Sequence, residues 1–192
     1  MIENQLNIKI ILGSTRENRF SDKVGDWIFK EIIKHEKVKS EIIDLRFYNL
    51  PFYDETKVNN DVNKFKEKIR EADGFIIITP EYNHGPTGVM KNAIDWCYEE
   101  WNYKPVAFIG YGSVGAARSI EQLRLICLEL RMIPIRNSVN ILGNRYYAFQ
   151  EGKLDLKTLF DENISKVHEL IHELLWLTEI MKQARQFKNK NT

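Results

Sequence analysis

Gly74-Phe75-Ile76-Ile77-Ile78-Thr79 is followed by Pro80-Glu81-Tyr82-Asn83-His84-Gly85-Pro86-Thr87-Gly88. The first stretch has an unbroken apolar centre, without the alternation that leaves one face of a strand in water. A strand of this kind is covered on both faces, as in the middle of a parallel sheet. The second stretch holds two prolines and two glycines and sets a stiff turn directly after that strand. Helical signals resume near Gly88 and run to about Trp101.

Working outward toward the N-terminus, Asn7 to Leu12 is a short β-branched run that ends at Gly13, a strand followed by a turn. From Ser21 the period changes. Val24, Trp27, Ile28, Ile32 and Ile33 share one helical face, with Ser21 or Asp22 placed to cap the start. Ser40 to Leu45 is a second strand, leading into the loop Tyr48 to Tyr53. Val62, Phe65, Ile69 and Ala72 mark a second helix. Toward the C-terminus, Pro105 to Gly110 is a fourth strand and Ala116 to Leu130 a long helix. Met132-Ile133-Pro134-Ile135 begins a fifth strand. Asn137 to Leu156 reads as loop. Thr158 to about Lys182 reads as a final amphipathic helix, and the polar end, Gln186 to Thr192, is expected to fray.

Strands alternating with helices at this spacing specify a parallel sheet with helices on both faces. Five of them suggest an α/β three-layer sandwich with the flavodoxin-like strand order 2-1-3-4-5. No linker, repeat or low-complexity segment interrupts the chain, so one domain over residues 1–192 is expected, with a long C-terminal helix and a frayed tail. The 28 basic and 27 acidic residues leave a formal net charge of +1. No strong field therefore argues for nucleic acid or a membrane surface as partner. No apolar stretch approaches the roughly 20 residues of a membrane span. Met1 to Gln5 shows no secretory pattern, and Cys97 and Cys127 have no metal-type spacing. The expected setting is the reducing cytoplasm, with both thiols buried.

In such sheets ligands sit beyond the carboxyl ends of the strands, near the point where strand order reverses. Three loops end there. The first, Gly13 to Ser21, joins a strand to a helix N-terminus, where backbone N–H groups and the helix dipole favour an anion. Ser14, Thr15 and Ser21 add hydroxyls, and Arg16 and Arg19 add forked cations suited to phosphate. The second, Thr79 to Gly88, offers Tyr82, Asn83 and exposed backbone N–H groups to the rim of a flat ring system. The third, Gly110-Tyr111-Gly112-Ser113-Val114-Gly115, lets backbone approach a ligand closely. The alternative for the first loop is a polar turn with a helix cap, and for the second a rigid turn that caps the next helix.

Taken together, Gly13-Ser14-Thr15-Arg16, then Pro80 to Gly85 with Met90 and Lys91-Asn92-Ala93-Ile94-Asp95-Trp96, then Gly112-Ser113-Val114-Gly115 resemble the NADPH-dependent FMN reductase family. That family includes quinone, azo-dye and chromate reductases. The likeness covers about the first three-quarters of the chain. It implies that Ser14, Arg16 and Ser21, with Arg19 beside them, hold the FMN phosphate. Pro80, Glu81, Tyr82 and Asn83 would line the isoalloxazine, and Gly112, Ser113 and Gly115 would close its other side. NADPH or NADH would be the co-substrate and a small molecule the electron acceptor. No side chain need act as acid or base, because flavin N5 carries the chemistry. Lys91, Asn92, Asp95 and Trp96 read as scaffold. The family commonly has a small residue where this chain has His84, which stands as a candidate on the substrate side. A homodimer or homotetramer is also implied, with a second subunit walling the pocket. The competing reading is a flavodoxin-type electron carrier that does not itself bind NAD(P)H; the balanced charge disfavours it.

Two short motifs point elsewhere. Gly110-x-Gly112-x-x-Gly115 has the letters of a dinucleotide fingerprint. It lies in the fourth strand–helix unit, and Arg136-Asn137-Ser138 offers no carboxylate after the next strand. His168-Glu169-Leu170-Ile171-His172 has the letters of a zinc-protease motif. Only Glu173 and Glu179 follow on an apolar-seamed helix, where a third ligand and an open cleft would be needed.

Overall fold

The computed structural model describes residues 5–190. Five strands, β1 (Leu6–Leu12), β2 (Val38–Asp44), β3 (Gly74–Pro80), β4 (Pro105–Tyr111) and β5 (Ile133–Ile141), form one sheet in the order β2-β1-β3-β4-β5. Every pairing is parallel. The expected flavodoxin-like order is therefore found. β3 is central and buried at all seven positions, as its continuous apolar run requires.

Alternation along the strands splits the interior into two cores. Ile8, Ile10, Ile76, Ile78, Ala107 and Ile109 face one way, against α1 (Ser21–Ile32), α6 (Leu156–Asp161) and α7 (Ile164–Lys190). Ile11, Phe75, Ile77, Val106 and Phe108 face the other way. They meet α2 (Asn60–Glu71), α3 (Gly88–Asp95) and α4 (Ala117–Glu129). Cys97 and Cys127 lie in this second core, unpaired. Burial pushes both thiols up, Cys127 to about 12, so neither is a ready thiolate.

Several expectations need correction. α1 is capped by neither Ser21 nor Asp22. Its N-cap residue is Phe20, without a side-chain cap, because the Ser21 hydroxyl is paired with Tyr111 and Asp22 with Arg19. α3 stops at Asp95, and a separate 3-10 turn, Glu99–Trp101, follows. Asn137 to Leu156 is mostly regular structure. β5 continues to Ile141 and α5 (Gly143–Gln150) follows it. β5 is an edge strand, and its polar Arg136, Asn137 and Ser138 carry no apolar signal to read. The last helix is two pieces, α6 and the 27-residue α7. α7 runs through Gln186 to Lys190; the rest of the expected frayed tail, Asn191 and Thr192, lies outside the described residues. Met1 to Asn4 lie outside them too. Among the described residues no helix is long and apolar enough to cross a membrane.

Candidate active site

Three loops meet at the carboxyl edge of the sheet. The first runs from Gly13, whose N–H donates to the Ile78 carbonyl at 2.8 Å and so keeps this loop against β3. Ser14 is buried, and its hydroxyl lies 3.2 Å from the Tyr82 phenol oxygen. Arg16 is exposed and lays its guanidinium over the Tyr82 ring, 5.9 Å from the centroid. Arg19 is buried and fully engaged. It donates to the Ser14 carbonyl and to Asp22, and pairs with Asp44 at 2.6 Å. Ser21 is buried, 2.7 Å from the Tyr111 hydroxyl. Burial pushes that phenol up to about 12, so it stays protonated. Of the four residues expected at an anion, Arg16 is the one with its charge at the surface; Arg19 and Ser21 brace the loop from beneath.

The second loop is a two-residue hairpin. Tyr82 and Gly85 exchange backbone hydrogen bonds of 3.1 and 3.2 Å, and Asn83 and His84 between them have φ of 50° and 68°. Two positive values in succession define the tight type I′ turn, for which asparagine is a favoured first residue. Thr87 locks the far end. Its hydroxyl donates to the Gly13 carbonyl and accepts from the Met90 N–H, so it caps α3 and ties the second loop to the first.

Glu81 is bound into α4. Its carboxylate accepts from the Arg118 backbone N–H at 3.1 Å and from its guanidinium at 2.6 Å. Burial works to raise this carboxyl, but the Arg118 bonds outweigh it and hold Glu81 below the ordinary glutamate value. The same guanidinium lies 2.8 Å from Nε2 of His84. A guanidinium only donates, so Nε2 is the accepting atom in this contact. Nothing in the spacing of the sequence singles out Arg118, because the contact spans 37 residues. The third loop is pinned from β5, where Asn140 donates to the Gly115 carbonyl at 2.7 Å.

Two hollows flank Tyr82 and Arg16. The larger, about 580 Å³, lies between Arg16–Phe20, Pro80–Tyr82 and Tyr111–Ser113, and is closed by Tyr146, Tyr147 and Gln150 of α5. It gathers Arg16, Arg19, Pro80, Glu81, Tyr82, Gly112 and Ser113 from the expected set. Asn83 and His84 stand at the hairpin tip, Gly115 behind the third loop, and Ser14 and Ser21 in the first loop; none of the five lines it, and Ser14 lines the smaller hollow instead. The smaller, about 480 Å³, is more apolar, with Leu50, Pro51, Phe52 and Val89 among its walls. Asn92 and Trp96 act as scaffold for that wall, donating to the Pro51 carbonyl at 3.0 and 2.8 Å.

The two short motifs find ordinary roles. Gly110 and Gly115 sit where the loop folds back on itself, and a Cβ on Gly110 would run into the Gly115 carbonyl. His168 lies 3.1 Å from Glu31. Among the described residues no three His, Cys, Asp or Glu side chains are grouped to hold a metal.

Comparison with known proteins agrees with this geometry. The family model described as NADPH-dependent FMN reductase matches residues 6–145. A Schizosaccharomyces pombe protein described as an NAD(P)H-dependent FMN reductase is 26% identical, over 90% of each chain. An Escherichia coli quinone reductase is 32% identical, over 74% of this chain and 79% of its own. Among solved structures, a flavoenzyme NAD(P)H:(acceptor) oxidoreductase from Paracoccus denitrificans superposes with a TM-score of 0.70 at 22% identity, over 88% of this chain and 97% of that one. A family match across this much of the chain, on the sheet and loops just described, makes this protein a member of the NADPH-dependent FMN reductase family.

Proposed function

We propose that this chain holds FMN in the larger hollow and uses it to pass electrons from NAD(P)H to a small acceptor in two successive half-reactions. The observation that carries the reading is the convergence of three sequence-distant loops on one hollow with an exposed guanidinium at its mouth. The residues fit the group. α1 begins without a side-chain cap, which leaves its first N–H groups for an anion. Gly112 has φ of 121°, with no atom within 4 Å of where a Cβ would stand, so backbone is open to a flat ring there.

When bound, the flavin supplies the hydride chemistry. Arg16 and the α1 N-terminus would hold the phosphate, with Ser14 supporting through Tyr82. Pro80, Glu81 and Tyr82 would present backbone to the ring from one side, and Gly112 and Ser113 from the other. Glu81 keeps its own carboxylate occupied with Arg118, so it adds no free charge beside the ring. Tyr82, which lines both hollows, would stand at the ring's edge where they adjoin, so that nicotinamide and acceptor would take turns against the flavin itself from the apolar side. The smaller hollow's apolar Leu50, Pro51, Phe52 and Val89 favour a planar, weakly polar acceptor such as a quinone. An assembly of two or four chains belongs to the same reading: Phe52, 85% exposed, stands at the rim, where a second chain would complete the wall.

Steady-state kinetics test the two-step order. With NADPH and a quinone varied together, double-reciprocal plots should give parallel lines. Intersecting lines would mean that both substrates are bound at once and would overturn the shared hollow.

A further inference from the structure

The three loops account for three sides of the larger hollow; the fourth is α5. Tyr146, Tyr147 and Gln150 line it. All three lie beyond residue 145, where the family match ends, and none falls within the three loops. Tyr146 is half-buried, and its ring is fixed from several sides. It stands edge-on to Phe20, centroids 5.3 Å apart at 68°, and tilted against Tyr111 at 5.7 Å. Phe20 is the residue from which α1 starts. The Tyr146 ring is thus anchored to the end of the first loop, and it lines the same hollow as Arg16. Burial raises the Tyr146 phenol, which keeps its proton for donation.

α5 is seated directly on the third loop. The Gly143 N–H donates to the Ser113 carbonyl at 3.2 Å, and a Cβ there would stand 2.7 Å from the Ser113 Cα and carbonyl oxygen. Only glycine lets the helix lie this close. Ser113 is itself a wall of the hollow, so a shift of α5 moves two walls together.

We infer that α5 closes the phosphate and ribityl end of the flavin cradle, with Tyr146 as a positioning residue whose phenol donates to the FMN phosphate beside Arg16. This rests on the flavin reading above. A donor aimed at a phosphate strengthens FMN and leaves riboflavin, which lacks that group, unaffected. α5 therefore contributes to the choice between the two flavins as well as to shape.

The test is titration of the flavin-free full-length chain with FMN and with riboflavin, read by quenching of flavin fluorescence. Tyr146→Phe keeps the ring and its contacts with Phe20 and removes one charge-assisted hydrogen bond. It should raise the FMN Kd about tenfold and leave the riboflavin Kd within about twofold. Gly143→Ala, which displaces the whole wall, should weaken both flavins together. An FMN Kd unchanged in Tyr146→Phe, or an equal loss for both flavins, overturns the role of the phenol. Unchanged affinities in Gly143→Ala overturn the wall. A wild-type chain that binds neither flavin defeats the flavin reading itself, and with it this inference; tight wild-type FMN binding with unaffected variants defeats this inference alone.

Discussion

Glu81 shows how a residue of the ring-lining segment can serve by being occupied elsewhere. Its carboxylate pairs with Arg118 and accepts from the first turn of α4, which has no side-chain cap of its own. Glu81→Gln keeps the shape and removes the charge. It should cost about 1–2 kcal/mol at neutral pH, the worth of a charge-assisted bond to a partly exposed partner. The sign with pH follows from the lowered carboxyl. A folded-state value below the unfolded one stabilises fully above the unfolded value and is lost as pH falls through the folded one. Urea unfolding of wild type and variant should therefore differ at neutral pH and converge below about pH 4, under the ordinary glutamate range. A gap of constant size across that range contradicts the pairing. At this scale the sequence is only partly legible. Tyr82, Arg16 and Ser14 can be picked out because loop chemistry and strand ends point to them. The Glu81–Arg118–His84 link cannot, because its members meet only after β3 and α4 are set side by side. Arg19 and Ser21 show the converse: their chemistry suits an anion, and the fold spends it on Asp22, Asp44 and Tyr111.

Among the elements, α3 has the task of fixing the second loop against the first. Thr87 does both halves of that with one hydroxyl, capping Met90 and reaching the Gly13 carbonyl. Thr87→Val is close in shape and β-branched, so it tests the hydroxyl alone. It should destabilise the protein by about 1–2 kcal/mol, the usual size of a lost helix cap, and lower the urea midpoint without changing the slope. An unchanged midpoint would show that the two loops are held together without this bond. The strands were readable wherever two buried faces forced continuous apolar runs, as in β1, β3 and β4. The start of β5 was readable too; its continuation to Ile141 and the helix α5 were not, for a physical reason. An edge strand has one covered side and tolerates Pro134 and a polar stretch, and its register with β4 shifts between Val106 and Phe108. Tyr146 and Phe149 do stand at a helical spacing, but too few turns follow to reveal a period.

For the whole molecule, function depends on where the sheet reverses. β1 and β3 lie side by side, the chain leaves in opposite directions from them, and the first and second loops meet in the gap. Two separate cores, one on each face, hold that edge in place. The near-balance of 28 basic and 27 acidic residues gives no strong field for docking a redox protein, in keeping with direct exchange with small molecules. The measurement that bears most directly on the account is the visible spectrum of the FMN-loaded protein, taken without oxygen or any acceptor, before and after adding NADPH or NADH. The account predicts one flavin per chain and rapid loss of its oxidised absorption band on adding the nucleotide. A protein that retains no flavin, or one whose bound flavin stays oxidised in the presence of the reduced nucleotide, would contradict it.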